Sequence, residues 1–319
     1  MALDDHVAQL IETLNSQGFT SFEQLSVEQA RAVIDTFTGL QAPAQDVARV
    51  VNLTYPGGGG DLPVRIYVPA AAGPVPETPL PVVLYFHGGG FIGGSIDVAD
   101  EPCRAVANGA GAIVVSAEYR LAPEHRFPAA PDDAYAALNW VAAHIADFGG
   151  DPDNIVIAGD SAGGNLAAVT ALRARNEAGP SLRGQVLIYP VIDPSAEFPS
   201  TREYAEGYVI TKRGLDWFWM QYLDVPGDAS NPYAVPSRAG DSSGLPPALV
   251  LTNEYEVGRD EAEDYAARLE AAGVDATVRR FDGLVHGVFW MSGAVPRSSE
   301  VLAAVCDYIG SITAPSAVQ

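Results

Sequence analysis

The segment NIVIAGDSAGGN, residues 154–165, contains the pattern Gly-x-Ser-x-Gly centred on Ser161. An apolar run leads into the pattern and an alanine-rich helical stretch follows it. A serine between a strand and a helix sits on a sharp, strained turn, and glycines two residues away on either side leave room for that turn. A serine that merely caps a helix fits the bare pattern too, but the flanking elements and a third glycine, Gly164, favour a nucleophile. We therefore predict that Ser161 is nucleophilic and that the Ala162 amide, at a helix amino terminus, can hold a developing oxyanion.

Apolar runs bounded by Pro, Gly or Asp recur along the rest of the chain. They predict strands at residues 49–55, 62–68, 82–86, 112–117, 155–158, 185–189, 248–252 and 276–281. The first two flank PGGGGD, which predicts an antiparallel hairpin. Helical spacing predicts helices at residues 131–145, 162–176, 259–272 and 298–312. This alternation predicts an α/β fold with a mostly parallel, doubly wound sheet of eight strands, whose catalytic loops lie along the carboxyl edge.

Two segments do not follow this alternation. Residues 1–45 have the pattern of two amphipathic helices, and the second begins with a capping box from Ser26 to Gln29. Residues 195–230 contain TKRGLDWFWMQYL, in which Thr211 can cap an aromatic-rich helix. We expect the two segments to meet as a helical cap, which leaves residues 46–194 and 231–319 as the two parts of a catalytic core.

A glycine-rich loop follows the predicted strand at 82–86. It contains HGGGF at residues 87–91 and a further glycine pair at 93–94. Consecutive glycines expose backbone N–H groups, so the loop can direct two donors at a carbonyl oxygen, and we predict Gly88 and Gly89 for this role. A phosphate-binding loop is the rival interpretation, but the Gly-Lys-Ser/Thr ending and the Rossmann glycine spacing are both missing.

The general base is predicted from chain order. A nucleophile on such a turn is typical of α/β-hydrolases, in which serine, acid and histidine follow one another in that order along the chain. Of the five histidines, only His286 follows Ser161. The acid belongs at the end of the preceding strand, where the segment PPALVLTNEYEVGRD leaves three candidates open: Glu254, Glu256 and Asp260.

The composition narrows the class of partner and the compartment. The net charge of −22 and the pI of 4.4 argue against a nucleic-acid partner or an anionic membrane surface. Lys212 is the only lysine, which fits either adaptation to salt or a GC-rich genome. Two cysteines form neither a disulfide framework nor a metal site. The start MALDDHVAQL lacks the basic and apolar parts of a secretory signal, so we expect a cytoplasmic protein.

Taken together, these segments resemble the bacterial hormone-sensitive-lipase family of esterases, within the α/β-hydrolase superfamily, over nearly the whole chain. The motifs that carry the resemblance are HGGGF, YRLAPEHRFPAAPDD, EGYVITKRGLDWFW, GDSAGGNLA, EYEVGRDEAEDYA and VHGVF. In that family the acid is the aspartate of an Asp-Pro-Leu-Arg-Asp-Glu stretch. That position falls on Glu256 here, followed by Val257 and Gly258 instead of Pro and Leu, with Asp260 as the next candidate.

The resemblance also implies a reaction and a substrate class. It implies that Tyr208 and Trp219 shape the substrate pocket, that substrates are small-molecule esters of short to medium chain length, and that a homodimer is possible. The expected reaction is acyl transfer through Ser161, with His286 as base and no metal or organic cofactor. An amidase, lactonase or carbamate hydrolase on the same triad stays open. A non-catalytic binder is disfavoured because His286 is retained.

Overall fold

In the computed structural model, which describes residues 2–19, 21–195 and 197–314, eight strands form one sheet. Their bounds are β1 Arg49–Gly57, β2 Gly60–Val68, β3 Leu80–Phe86, β4 Ile113–Ala117, β5 Gly150–Asp160, β6 Gly184–Ile188, β7 Ala248–Tyr255 and β8 Ala276–Val285. Each of the eight predicted strands is confirmed. Small parts of the predicted cap and core, at residues 1, 20, 196 and 315–319, lie outside the described residues.

The strand order is β1-β2-β4-β3-β5-β6-β7-β8. Strand β2 is antiparallel to β1 and β4, and the remaining neighbours are parallel. The predicted α/β fold with a mostly parallel sheet is therefore confirmed. Successive side chains of β3 point to opposite faces of the sheet, as strand geometry requires. Leu84 and Phe86 pack on one face, and Val83 and Tyr85 pack on the other.

Several strands extend beyond their predicted bounds, among them the first two strands and β5. The first two strands continue through PGGGGD until Gly57 pairs with Gly60, so that only a two-residue turn remains. The Gly58 amide in that turn donates to Asp133 Oδ1 over 2.8 Å. Strand β5 begins at Gly150, before the apolar run, because a register shift lets Gly150 pair with Leu80.

Nine α-helices are present in the described residues. They are α1 Asp5–Ser16, α2 Val27–Asp35, α3 Asp100–Ala110, α4 Ala129–His144, α5 Ala162–Asn176, α6 Pro199–Glu203, α7 Lys212–Tyr222, α8 Arg259–Ala271 and α9 Ser298–Thr313. Helices α4, α5 and α8 bury Leu138, Leu166 and Leu269 on one face of the sheet. Helices α3 and α9 bury Val106 and Val305 on the other. Within the described ranges, no helix combines the length and apolar character that crossing a bilayer requires.

The segments predicted to form a cap contact each other. Helix α2 has the predicted capping box, and Thr211 caps α7 by accepting the Gly214 amide. The hydroxyl oxygens of Ser21 and Thr211 lie 2.6 Å apart, and the rings of Phe22 and Phe218 lie 5.1 Å apart. Aromatic packing therefore joins the amino-terminal segment to α7, whereas the division of the chain into cap and core stays a prediction.

Both cysteines are buried, in agreement with their apolar surroundings. Cys103 lies in α3 and Cys306 in α9, and each is a free thiol. Burial raises the pKa of both thiols, that of Cys306 to about 12. Neither thiol is therefore a nucleophile near neutral pH.

Candidate active site

Ser161 stands between the end of β5 and the start of α5, in a strained conformation. Its φ is 55° and its ψ is −117°. Chain crowding explains the flanking glycines: a Cβ at Gly159 would lie 2.3 Å from the Gly163 carbonyl oxygen, and one at Gly163 would lie 1.9 Å from the Phe86 carbonyl oxygen. Ser161 is the last residue before the helix, so the Ala162 N–H is one of the amides for which an α-helix supplies no acceptor.

The structure brings Ser161, His286 and Glu256 together. The Nε2 atom of His286 lies 2.8 Å from Ser161 Oγ, and Nδ1 lies 2.7 Å from Glu256 Oε1. Glu256 follows β7 and His286 follows β8, so both come from carboxyl ends of parallel strands. The relative exposures of the three residues are 8%, 9% and 3%. This arrangement fits a nucleophile, a base and an orienting acid.

The other two acid candidates bind elsewhere. Asp260 pairs with Arg259 Nε at 2.7 Å and accepts the Ser200 amide at 2.9 Å. Glu254 accepts the Gly283 amide at 2.8 Å. Of the three candidates, only Glu256 is within hydrogen-bond distance of His286.

The glycine loop lies beside Ser161, but the two predicted donors differ in their surroundings. Gly89 and Gly90 line the cavity above Ser161, and the hydrogen bonds of the described residues leave their amides without an acceptor. The Gly88 amide instead donates to Asp160 Oδ1 over 2.9 Å. The Gly88 N–H therefore already has an acceptor inside the protein. We assign the N–H groups of Gly89 and Gly90, and not that of Gly88, to the candidate oxyanion hole.

His87 is buried and contacts the backbone of the glycine loop. Its Nδ1 lies 2.7 Å from the Gly88 carbonyl oxygen and its Nε2 lies 3.3 Å from Glu118 Oε2, while its ring stacks on Tyr119. Two acceptors need two N–H donors, which is the protonated form. Burial alone would lower the pKa of His87, but the Glu118 carboxylate and the Gly88 carbonyl raise it by more. Glu118 also accepts the Ile96 amide at 2.8 Å. The Glu118 carboxylate therefore binds the chain on both sides of the glycine loop, at His87 and at Ile96.

An apolar cavity opens above Ser161. It contains about 640 Å³ of empty space including its mouth, and its walls carry Phe22, Phe37, Phe91, Phe218, Trp219 and Trp290. Trp219, a predicted pocket residue, is therefore in the wall. Tyr208 is not: its ring packs against Tyr204 and Tyr255, with centroids 5.6 and 5.3 Å away. The Tyr208 side chain thus points toward Tyr204 and Tyr255. No pattern in the sequence predicts this aromatic cluster.

Sequence reasoning missed two buried side chains at the site. The Tyr189 ring lies 4.7 Å from the His286 imidazole, and its hydroxyl accepts the Phe289 amide at 3.2 Å. Its φ of 36° is unusual for a tyrosine. Asp160 is the second. It is the last residue of β5 and Tyr189 directly follows β6, and only three-dimensional packing reveals the contacts of these two residues.

A further buried carboxyl group lies behind the acid. Glu261 on α8 accepts the Ile192 amide at 2.9 Å. Burial, together with the nearby Asp193 and Glu256 carboxylates, raises its pKa to about 8. Burial therefore favours the protonated form of Glu261. In the described part of the chain, no three His, Cys, Asp or Glu side chains are grouped as ligands for a metal ion.

Comparison with known proteins places the chain among enzymes. A family model described as the alpha/beta hydrolase fold matches residues 83–290. A carboxylesterase of Mycobacterium tuberculosis is 44% identical over 243 residues, which are 75% of each chain. An ethyl acetate hydrolase of Pseudomonas putida is 36% identical over 94% of this chain and 95% of its own. The solved structure of a hyperthermophilic esterase from Pyrobaculum calidifontis is 39% identical and covers 98% of this chain and 100% of its own, with a TM-score of 0.88.

Proposed function

This chain belongs to the hormone-sensitive-lipase family of α/β-hydrolases, and we propose on that basis that it hydrolyses carboxylic esters through Ser161, His286 and Glu256. The observation that carries the proposal is the unbroken hydrogen-bonded line from Ser161 Oγ through the imidazole to Glu256 Oε1, with distances of 2.8 and 2.7 Å. The named relatives, a carboxylesterase and an ethyl acetate hydrolase, support the same class of reaction.

The proposed reaction has two acyl-transfer steps. His286 Nε2 takes the proton from Ser161 Oγ as that oxygen attacks the ester carbonyl carbon. The amides of Gly89, Gly90 and Ala162 donate to the resulting oxyanion, and the Glu256 carboxylate stabilises the imidazolium. His286 then gives the proton to the departing alkoxide, which leaves as the alcohol. Water repeats the sequence on the acyl-enzyme and releases the carboxylic acid.

We further propose that residues 1–45 and 195–230 form a cap that limits substrate size. The cavity walls supplied by Phe22, Phe37, Phe218 and Trp219 come from these two segments. They are apolar, so they favour the short to medium alkyl chains of neutral esters over charged ones. A long acyl chain would have to displace these rings.

The test is a substrate series with matched variants. Purified wild type, Ser161→Ala and the exposed-site control Ser195→Ala are assayed on p-nitrophenyl esters from acetate to palmitate, with an anilide alongside. We expect turnover to peak at short or medium chains, to survive in Ser195→Ala, and to fall by several powers of ten in Ser161→Ala. Preferential cleavage of the anilide would indicate an amidase. A folded wild type inactive on every ester would contradict the proposal.

A further inference from the structure

Asp160 is a buried carboxylate that the proposed acyl transfer does not use. Although it precedes Ser161 in the chain, its side chain points to the glycine loop and not to the imidazole. Its Oδ1 accepts the Tyr85 hydroxyl at 2.5 Å and the Gly88 amide at 2.9 Å. Its relative exposure is 2%. Both bonds connect the nucleophile turn to strand β3 and the loop that follows it.

The hydrogen bond from Gly88 to Asp160 joins the glycine loop to the turn that carries Ser161. Catalysis requires these two segments to be correctly placed relative to each other. Strands β3 and β5 are neighbours, with Phe86 opposite Gly159, so the loop and the nucleophile turn leave the sheet side by side. A methyl group at Gly88 would lie 2.5 Å from Asp160 Oδ2. The loop and the carboxylate are thus in direct contact, one residue before the amides of Gly89 and Gly90.

A carboxylate is a costly choice at this position. Burial raises the pKa of Asp160 to about 6, against the lowering effect of the Tyr85 and Gly88 hydrogen bonds and of His87 and His286. Desolvating an ionised group is unfavourable unless strong hydrogen bonds compensate for it. Hydrogen bonds to an ionised acceptor are roughly twice as strong as neutral ones. An ionised Asp160 therefore binds the Gly88 amide more strongly than a neutral acceptor would.

We propose that Asp160 is a positioning residue for the oxyanion hole: by holding the Gly88 amide, it fixes the Gly89 and Gly90 amides relative to Ser161 Oγ. The proposal rests on the proposed function of the same site. Its consequence is specific to the transition state, because the donors matter most when negative charge develops on the carbonyl oxygen.

The test compares ground-state and transition-state binding in Asp160 variants. A trifluoromethyl ketone forms a tetrahedral adduct with an oxyanion, whereas the matching methyl ketone resembles the bound ester. For Asp160→Ala we expect kcat on p-nitrophenyl butyrate and the affinity for the trifluoromethyl ketone to fall by about 100-fold each, the loss typical of a small misplacement. KM and the affinity for the methyl ketone should stay near wild type. Asp160→Asn keeps an acceptor and should restore both quantities to within about tenfold of wild type.

Two further variants keep the test decisive if Asp160→Ala does not fold. Tyr85→Phe keeps the hydrogen bond from the Gly88 N–H to Asp160. The double variant Tyr85→Phe/Asp160→Leu removes the carboxyl group together with the tyrosine hydroxyl, so that no buried hydroxyl is left unpaired. Only the double variant should lose affinity for the trifluoromethyl ketone. Equal affinities in the two variants would overturn the proposal, as would a folded Asp160→Ala with unchanged kcat or an Asn variant as impaired as Ala. A wild type that hydrolyses no ester would instead overturn the proposed function.

Discussion

The side chain of Glu256 holds the imidazole of His286 from the buried side. Its Oε1 lies 2.7 Å from Nδ1, and its Oε2 accepts the backbone N–H of Asn253 at 3.2 Å, so the carboxylate is fixed at both oxygens. A carboxylate in this place keeps the imidazole in the tautomer that accepts a proton at Nε2. An amide of the same shape can present its NH₂ group to Nδ1, which selects the wrong tautomer.

We therefore expect Glu256→Gln to lower kcat by about 10³- to 10⁴-fold with little change in KM. Asp260→Asn is the matched control, because Asp260 is bound to Arg259 and the Ser200 amide instead. Its kcat should stay near wild type. Steady-state kinetics on one p-nitrophenyl ester decide the point, and the reverse ranking of the two variants would assign the acid to Asp260.

Glu261 gives a second prediction at this scale, on stability. Its pKa is about 8 in the folded protein against an ordinary value of 4.5. The folded state thus keeps a proton that the unfolded state releases, and the free energy of unfolding falls as pH rises through this window. Glu261→Gln mimics the protonated form. The Tm of the variant relative to wild type should therefore increase from pH 5 to pH 9.

Thermal unfolding at several pH values measures this difference, with Glu270→Gln as the control on the exposed side of the same helix. A difference between Glu261→Gln and wild type that stays constant with pH would show that Glu261 does not titrate in this window.

The sequence could predict residue types but not every backbone direction. Chain order left only His286 as base, and the structure places it beside Ser161. The choice between Gly88 and Gly90 depends on where each amide points. That direction follows from φ values of 113° at Gly89 and 62° at Gly90, which no pattern of consecutive glycines specifies. The rotation of Tyr208 into a tyrosine cluster is likewise a matter of tertiary packing.

At the scale of elements, helix α7 separates the cavity from solvent. Phe218 and Trp219 face the cavity, whereas Met220 on the same helix is 68% exposed. The Phe218 ring lies against the glycine loop, since a Cβ at Gly90 would come within 2.2 Å of it. The ring therefore fills space next to the candidate oxyanion hole.

Phe218→Ala should open this space and move the best substrate to longer acyl chains. It should also lower the free energy of unfolding by about 3 kcal/mol, as for other buried aromatic truncations. The ratio of kcat/KM for octanoate over acetate measures the first effect and thermal or urea unfolding the second. Met220→Ala is the control and should leave both unchanged. An unaltered chain-length ratio in a folded Phe218→Ala would show that this ring does not limit the acyl chain.

The elements were predictable where a local signal exists. The capping residues Ser26 and Thr211 and the strand-turn-helix at Ser161 are confirmed. The early start of β5 was not predictable, because Gly150 joins the sheet through pairing with Leu80 and not through its own apolar pattern. The extension of the first hairpin is similar, since Gly57 and Gly60 acquire their conformation from partner strands.

For the whole molecule, charge is the dominant surface property. There are 40 acidic and 18 basic residues, and the net charge is −22. Self-repulsion of this size destabilises a compact state, and salt screens it. Several of the ion pairs that salt would weaken are partly exposed, such as those of Arg31 with Glu124 and Arg280 with Glu263, and exposed pairs contribute little.

We therefore expect the Tm to rise between low and moderate concentrations of sodium chloride. Calorimetry in both sodium and potassium chloride separates screening from binding of one ion. A Tm that falls with either salt would mean that attraction between charges outweighs repulsion in this protein. The fold follows from the hydrophobic pattern, which the net charge does not alter. The number of strands and the mostly parallel sheet were therefore predictable from the sequence, whereas the contribution of surface charge to stability was not.

The burial of both native thiols makes this chain a convenient host for a spectroscopic probe. Cys103 and Cys306 are both buried and their thiols have raised pKa values, so neither should react with maleimide reagents under native conditions. A variant Met220→Cys would then carry the reactive thiol on the outer face of α7. A fluorophore or spin label attached there would report the motion of this helix during turnover, without prior removal of the native cysteines.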